Sequence, residues 1–310
     1  MVESGLPVWT DPWVLRPADV KELWTMMGTL NMSSGSNSQV VWRGMASDTF
    51  RVESSLVRSL KRKHVPVDES SVRTSERNSI MNARDWGIGV SEQGLASDLH
   101  VLAMLQHHGV PTRLIDVTYN PLTALWFACS EEQHKADPGV LVGFMVSGTA
   151  ILKTVQAAPE LTWASMDDPH GYAYTQALKE TVEKSLPILV EPAVRDARMV
   201  AQEGLFITSG LPQNELNGKS PVAGFVMPKP IEFRDGLEKF FIDEQYANPG
   251  TTANTFGMLG IVISPQIKEK IMPVLEGNFN RSFRTMYPDL AGFAAYGGQS
   301  HVREFEPNVQ

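Results

Sequence analysis

Residues 97–130, SDLHVLAMLQHHGVPTRLIDVTYNPLTALWFACS, constrain the fold more than any other stretch of the chain. Leu99, Leu102 and Leu105 recur at helical spacing behind Ser97, a residue suited to cap a helix N-terminus. Gly109 and Pro111 stop that helix. A short polar strand follows, in which Thr112, Arg113, Asp116 and Thr118 alternate imperfectly with Leu114 and Val117. Asn120-Pro121 then opens a second helix, a side-chain cap before proline at the first helical position. Leu122, Leu125, Trp126 and Cys129 give this helix one buried face. Two histidines, an arginine, an aspartate and two threonines are thus held between two apolar helices. Such groups serve either as caps and turn bonds or as binding groups on a rigid frame.

With 310 residues, 42% of them hydrophobic and 20% charged, the chain can bury a full core. Its formal charge of −8 argues against a general nucleic-acid-binding surface but leaves room for a local basic cleft. Cys129 is the single cysteine, which excludes a disulfide framework and fits a reducing cytosol. Met1–Pro7 lacks the charged and apolar regions of a secretion signal, and no apolar run approaches the roughly 20 residues a membrane span needs. The expected location is therefore the cytoplasm, with no membrane partner.

Along the chain, a Trp- and Pro-rich arm precedes a helix that carries Val20, Leu23, Met26, Met27 and Leu30, and residues 31–38 read as a flexible link. Val40–Gly44 reads as a strand and Ser54–Leu60 as the start of a helix, with Lys61–His64 as a solvated basic tract. A further helix is expected near Ser75–Trp86 and a buried strand at Val140–Val146. Tyr174–Lys184 reads as helix, and Ile188–Val190, Leu205–Thr208, Lys239–Ile242 and Gly260–Ser264 read as strands. Ser264-Pro265 caps a helix that runs to about Leu275. Short strands with irregularly intervening helices predict an α+β fold: one large domain with a central mixed or antiparallel sheet flanked by helices. The expected division is an arm and helix over 1–38, the domain over 39–295 with 150–190 as an insertion or lid, and a tail over 296–310.

Phosphate-loop, dinucleotide-fold, zinc-helix and nucleophile-elbow motifs are absent from the sequence. His107 and His108 are adjacent on a helix and diverge too far to share a metal, so no metal is expected. Cys129 sits on an apolar face, where a thiol is inert.

The segments VVWRG at Val40–Gly44, Ser55–Arg58 and LQHHGVPTRLIDVTYNPLTALWFA at Leu105–Ala128 resemble the FRG domain, named for a Phe-Arg-Gly tripeptide. That tripeptide is here Trp42-Arg43-Gly44. The family segment Q-H-x-G-x-P-T-R-L-L-D-W-T, followed by N-P, is matched except at Ile115 and Val117. Arg198–Phe206 and Tyr287–Gly292 resemble later segments of the family. A weaker similarity in order and residue type links the chain to ADP-ribosyltransferases, in which an aromatic-Arg-Gly strand binds NAD. That similarity implies Arg43 first, then Thr112 to Thr118, then Gln202 or Glu203. It implies an NAD-dependent transferase or NAD glycohydrolase, in a toxin or phage-defence setting, with a protein or nucleic-acid acceptor. The alternatives are a non-catalytic nucleotide- or nucleic-acid-sensing module and a protein-interaction scaffold.

The chemistry of NAD assigns candidates on the same order. Arg43 or Arg113 would bind the pyrophosphate bidentately. Gly44 would admit backbone close to the ligand, and Trp42, Tyr119 or Phe206 would stack on nicotinamide. Asp116 or Glu203 would face the positive charge that builds on ribose, with Gln202 beside them. His107 or His108 would act as base or bind a hydroxyl.

Overall fold

The computed structural model describes residues 13–33, 40–92, 94–146, 151–153, 178–179, 181, 187–192, 196–211, 223–226 and 258–297. Among these, eight strands form one mixed sheet. They are β1 (Trp13–Leu15), β2 (Val40–Met45), β6 (Ile115–Thr118), β7 (Gly139–Met145), β8 (Ile151–Lys153), β9 (Ile188–Glu191), β10 (Gly204–Thr208) and β12 (Met258–Ile263). The remaining strands, β3 (Arg51–Glu53), β4 (Val90–Ser91), β5 (Gly94–Leu95) and β11 (Ala223–Val226), form two small two-stranded ribbons. The main order is β1-β12-β7-β2-β6-β10-β9-β8. The end pairs β1–β12 and β8–β9 are parallel, and the interior pairs are antiparallel. The fold is α+β, as expected.

Helices cover one face in two groups. Over one half lie α1 (Val20–Ser33), α5 (Pro121–Cys129) and α7 (Pro265–Gly277), which bury Leu23, Trp126 and Ile271 against Trp42, Leu141 and Ile261. Over the other half lie α3 (Glu69–Asp85) and α4 (Asp98–His107), with Ile80, Leu102 and Leu105 against Val190 and Phe206. The opposite face gathers Val41, Val117, Val142, Leu205 and Ile207 with Val52 of β3. The two helix groups meet over β2 and β6, in the middle of the sheet. The shorter helices are α2 (Ser55–Arg62), α6 (Ala197–Ala201), α8 (Phe283–Met286) and α9 (Leu290–Tyr296).

Side-chain caps set the helix starts. Ser54, Ser97 and Ser264 each accept a hydrogen bond from a backbone N–H in the first turn of α2, α4 and α7, and Asn120 does the same for α5. Helix α1 runs on to Ser33, into the stretch read as a link. Helix α3 starts at Glu69, six residues before the expected start. Asp68 caps it, and its buried positions are Val72, Glu76, Ile80 and Ala83. A buried glutamate in that row interrupts the apolar periodicity and hides the helix from a hydrophobic reading. Helix α5 buries Thr123, Ala124 and Ala128 as well as Leu125, Trp126 and Cys129, so it is enclosed on more than one face. Most of the expected Tyr174–Lys184 helix, and all of the Lys239–Ile242 strand, lie outside the described residues.

Helix α5 rides directly on strand backbone. A Cβ added to Gly44 would stand 1.8 Å from the Ala124 carbonyl oxygen, and one added to Gly139 would stand 2.4 Å from that of Ala128. The glycine of the Trp-Arg-Gly tripeptide is therefore required by helix–sheet packing. Gly44→Ala must push α5 off β2 and is expected to lower unfolding stability by about 3 kcal/mol or more, read as a drop in urea midpoint.

Candidate functional site

The sheet splits at its centre. Among the described residues, β2 and β6 share one register pair, Trp42↔Thr118, before they part. Arg43 Nη1 crosses the gap and donates to the Asp116 carbonyl oxygen at 2.7 Å. A cleft of about 1060 Å³ opens there. Its walls include Met45, Val117 and Leu205 from one face of the sheet and Gly44, Asp116 and Phe206 from the other, so it passes through the split.

Asp116 presents a carboxylate whose side chain is 57% exposed. The nearest Arg43 nitrogen is 3.9 Å from it, beyond hydrogen-bond range, so the guanidinium attracts the carboxylate without saturating it. Gln106 holds the group in place: its Nε2 donates to Asp116 Oδ2 at 2.8 Å. The amide cannot turn over, because its Oε1 accepts from Thr112 Oγ1 at 2.8 Å and from Ser55 Oγ at 3.2 Å. Thr112 is fully buried, and its role is to orient this amide. Burial lowers the Arg43 pKa, Asp116 opposes that, and Arg58 adds to it.

The opposite wall comes from α4, α6 and the C-terminal helices. His107 Nε2 meets Asp196 Oδ2 at 2.8 Å, and the His108 ring stands edge-on to His107 at 5.2 Å. Arg198 forks onto Asp289 with two bonds of 2.8 Å and lies 5.0 Å above the Tyr287 ring. Asp289 also caps α9 through the Gly292 N–H at 2.7 Å. Gln202 lines the cleft with its amide tied to the Met286 carbonyl at 2.9 Å.

Other expected ligands stand elsewhere. Arg113, read as a phosphate binder, is 1% exposed and bonded to two carboxylates: Nε to Glu76 at 2.8 Å and Nη1 to Glu69 at 2.9 Å. Its backbone N–H also reaches Glu76, and Glu69 takes the Leu211 N–H as well. Burial raises the Glu76 pKa against the pull of Arg113. At Glu69 burial acts the same way, but Arg113, Arg73 and the Leu211 N–H outweigh it and the net shift is downward. This cage joins α3 to the β6 approach, so Arg113 is structural and its partner is not Asp116.

The Trp42 side chain is fully buried beneath α5 and is not a stacking surface for a ligand. Tyr119 bonds Glu191 through its hydroxyl at 2.5 Å and is not among the cleft-lining residues. Thr118 lines the floor, but its hydroxyl is used by the Gln202 carbonyl at 2.7 Å and the Asn120 N–H at 3.0 Å. Glu203, at φ 50°, turns its carboxylate to Asn120 at 2.8 Å and Arg281 at 3.1 Å, and it is absent from the lining. Arg43, Asp116, His107, Gln202 and Gly44 do converge on the cleft. Sequence reasoning assigned no role to Gln106, Arg58 or Asp289, although all three lie in segments that it singled out.

The geometry of Arg43, Gln106 and Asp116 joins two stretches, one around β2 and one around the α4–β6 loop. Both lie in one family match. Residues 38–137 match the FRG domain. No curated protein and no solved structure matches the chain. The FRG match ends at residue 137, whereas Arg198, Gln202 and Tyr287 line the same cleft from further along the chain. Among the described residues, no helix is long and apolar enough to cross a membrane.

Two outcomes follow from these buried charges. Arg113→Ala takes the guanidinium away from the buried Glu76 carboxylate, while Glu69 keeps Arg73 and the Leu211 N–H, and is expected to cost about 3–5 kcal/mol in chemical denaturation. Burial holds the His107 imidazole below its ordinary range, against the opposing effect of Asp196, and burial does the same to His100. These rings stay neutral in the folded state where the unfolded chain takes up a proton. Their contribution to stability is therefore full above the usual histidine range and is lost as pH falls through it. His107→Asn is expected to flatten the stability-against-pH curve between about pH 7 and pH 5.

Proposed function

We propose that the cleft binds NAD and breaks its nicotinamide–ribose bond, passing ADP-ribose to an acceptor macromolecule or to water. The observation that carries this reading is the split of the sheet at β2 and β6. There a guanidinium and an oriented carboxylate meet in one solvent-open cleft.

The chemistry fits the groups in place. A volume of about 1060 Å³ accommodates a dinucleotide, since ligand sites span roughly 300–1,000 Å³. Arg43 supplies a planar cation for the pyrophosphate. When the bond between ribose C1′ and the nicotinamide nitrogen breaks, its electron pair leaves with nicotinamide and positive charge gathers on the ribose. Asp116 faces that charge, held still by Gln106, so no reorganisation is needed as it develops. The acceptor oxygen or nitrogen then bonds C1′ and gives up a proton. His107 is suited to take it: burial favours the neutral ring, and the contact to Asp196 selects the Nε2–H tautomer and leaves Nδ1 unprotonated.

Purified protein incubated with NAD is expected to release nicotinamide. Asp116→Asn should slow release about 100-fold or more while the protein still gains thermal stability from NAD. Arg43→Ala should lose that thermal gain. Stabilisation by NAD without release from the wild type would favour the non-catalytic sensing module. Neither effect in the wild type would overturn both readings.

A further inference from the structure

The Ser55–Arg58 stretch resembled the same family as Trp42-Arg43-Gly44, and the proposed chemistry makes no use of its arginine. The fold brings both stretches to one wall of the cleft, which includes Arg43, Arg51 and Arg58. We propose that Arg43 and Arg58, with Arg51 at the rim, form a diphosphate-binding site. This deepens the NAD reading and rests on it only in placing the pyrophosphate of NAD there.

Three observations carry the site. First, the Arg58 guanidinium is not paired with the acid beside it, and Arg43 has its carboxylate, Asp116, only at 3.9 Å. Arg58 Nη1 donates to the Glu53 backbone carbonyl at 2.5 Å, while the Glu53 carboxylate is 5% exposed and engaged by the Lys61 ammonium. Second, Arg43 has donor capacity to spare. Its Nη1 is used by the Asp116 carbonyl, and its buried Nε meets no acceptor among the described residues. Third, Arg58 stands near enough to disfavour the Arg43 charge, an effect that adds to burial and is smaller than the opposing pull of Asp116. A guanidinium does not shed its proton at ordinary pH, so both cations persist, and an entering anion adds to the partial compensation that Asp116 gives Arg43. In a chain of net charge −8, this is a local concentration of cations facing open volume.

A monophosphate engages one fork at a time. A diphosphate spans two adjacent guanidiniums and accepts from both. The shared chemistry is that of inorganic pyrophosphate, a nucleoside diphosphate or the bridge of a dinucleotide, and the probes below separate them.

Calorimetric titration of the full chain with inorganic pyrophosphate, ADP-ribose and AMP tests the site. ADP-ribose and pyrophosphate are expected to bind, and AMP at least tenfold more weakly than ADP-ribose. Arg58→Gln should weaken ADP-ribose and pyrophosphate about tenfold or more, and Arg58→Lys should recover part of that loss. Lys63→Gln removes the same charge from the exposed C-terminal end of the same helix and should change affinity less than twofold. The Arg58 side chain is exposed, so the variant is expected to fold, and circular dichroism checks this. Equal losses in Arg58→Gln and Lys63→Gln, or no binding of any diphosphate by the wild type, would overturn the site. Diphosphate binding that depends on Arg58, without nicotinamide release from NAD, keeps the site and removes the NAD reading.

Discussion

A guanidinium stands in this sheet where a strand-to-strand hydrogen bond would otherwise run. Arg43 Nη1 satisfies the Asp116 carbonyl across a gap that the β2 and β6 ladders do not bridge. A sheet carbonyl that loses its ladder partner takes another donor, and at the opening of this sheet Arg43 supplies it. The consequences spread outward from this contact. Asp116 is carried to the edge of the opening, Gln106 can reach its carboxylate, and residues from both faces of the sheet look into one cleft.

The frame around the opening is held by two devices of different kinds. On one side α5 lies against bare strand backbone at Gly44 and Gly139, a contact that depends on shape alone. On the other side α3 is tied to the β6 approach by Arg113 between Glu69 and Glu76, a contact that depends on charge in a dry interior. Buried pairs of the second kind add little net stability but strongly penalise any arrangement that separates them. Together they fix the two helix layers independently and leave the boundary between them open.

Much of this was legible in the residues. The caps at Ser97, Asn120-Pro121 and Ser264-Pro265, and the apolar run in β7, were read correctly because each rests on local chemistry. Arg43, Asp116, His107 and Gln202 were named as site residues and do share the cleft. What escaped depends on partners distant in the chain. Arg113 looks like a ligand-binding arginine until Glu69 and Glu76 come up beneath it. Glu203 and Gln202 are neighbours in sequence, yet the left-handed backbone at Glu203 turns its carboxylate to Asn120 and Arg281. Gly44 suggested close approach of a ligand, and the close approach belongs to a helix. The split itself is a matter of register, which no single stretch encodes.

The Arg198–Asp289 fork joins residues 91 apart in the chain, and the Gln202–Met286 contact joins residues 84 apart. Arg43 and Asp116 are themselves separated by 73 positions. Contacts of such length carry a large loop-closure cost and form after local helices and hairpins are in place. During synthesis the β2 and β6 segments leave the ribosome well before the C-terminal wall exists. The nascent chain therefore carries its arginines and Asp116 without a completed cleft, and the assembled site is a property of the finished fold.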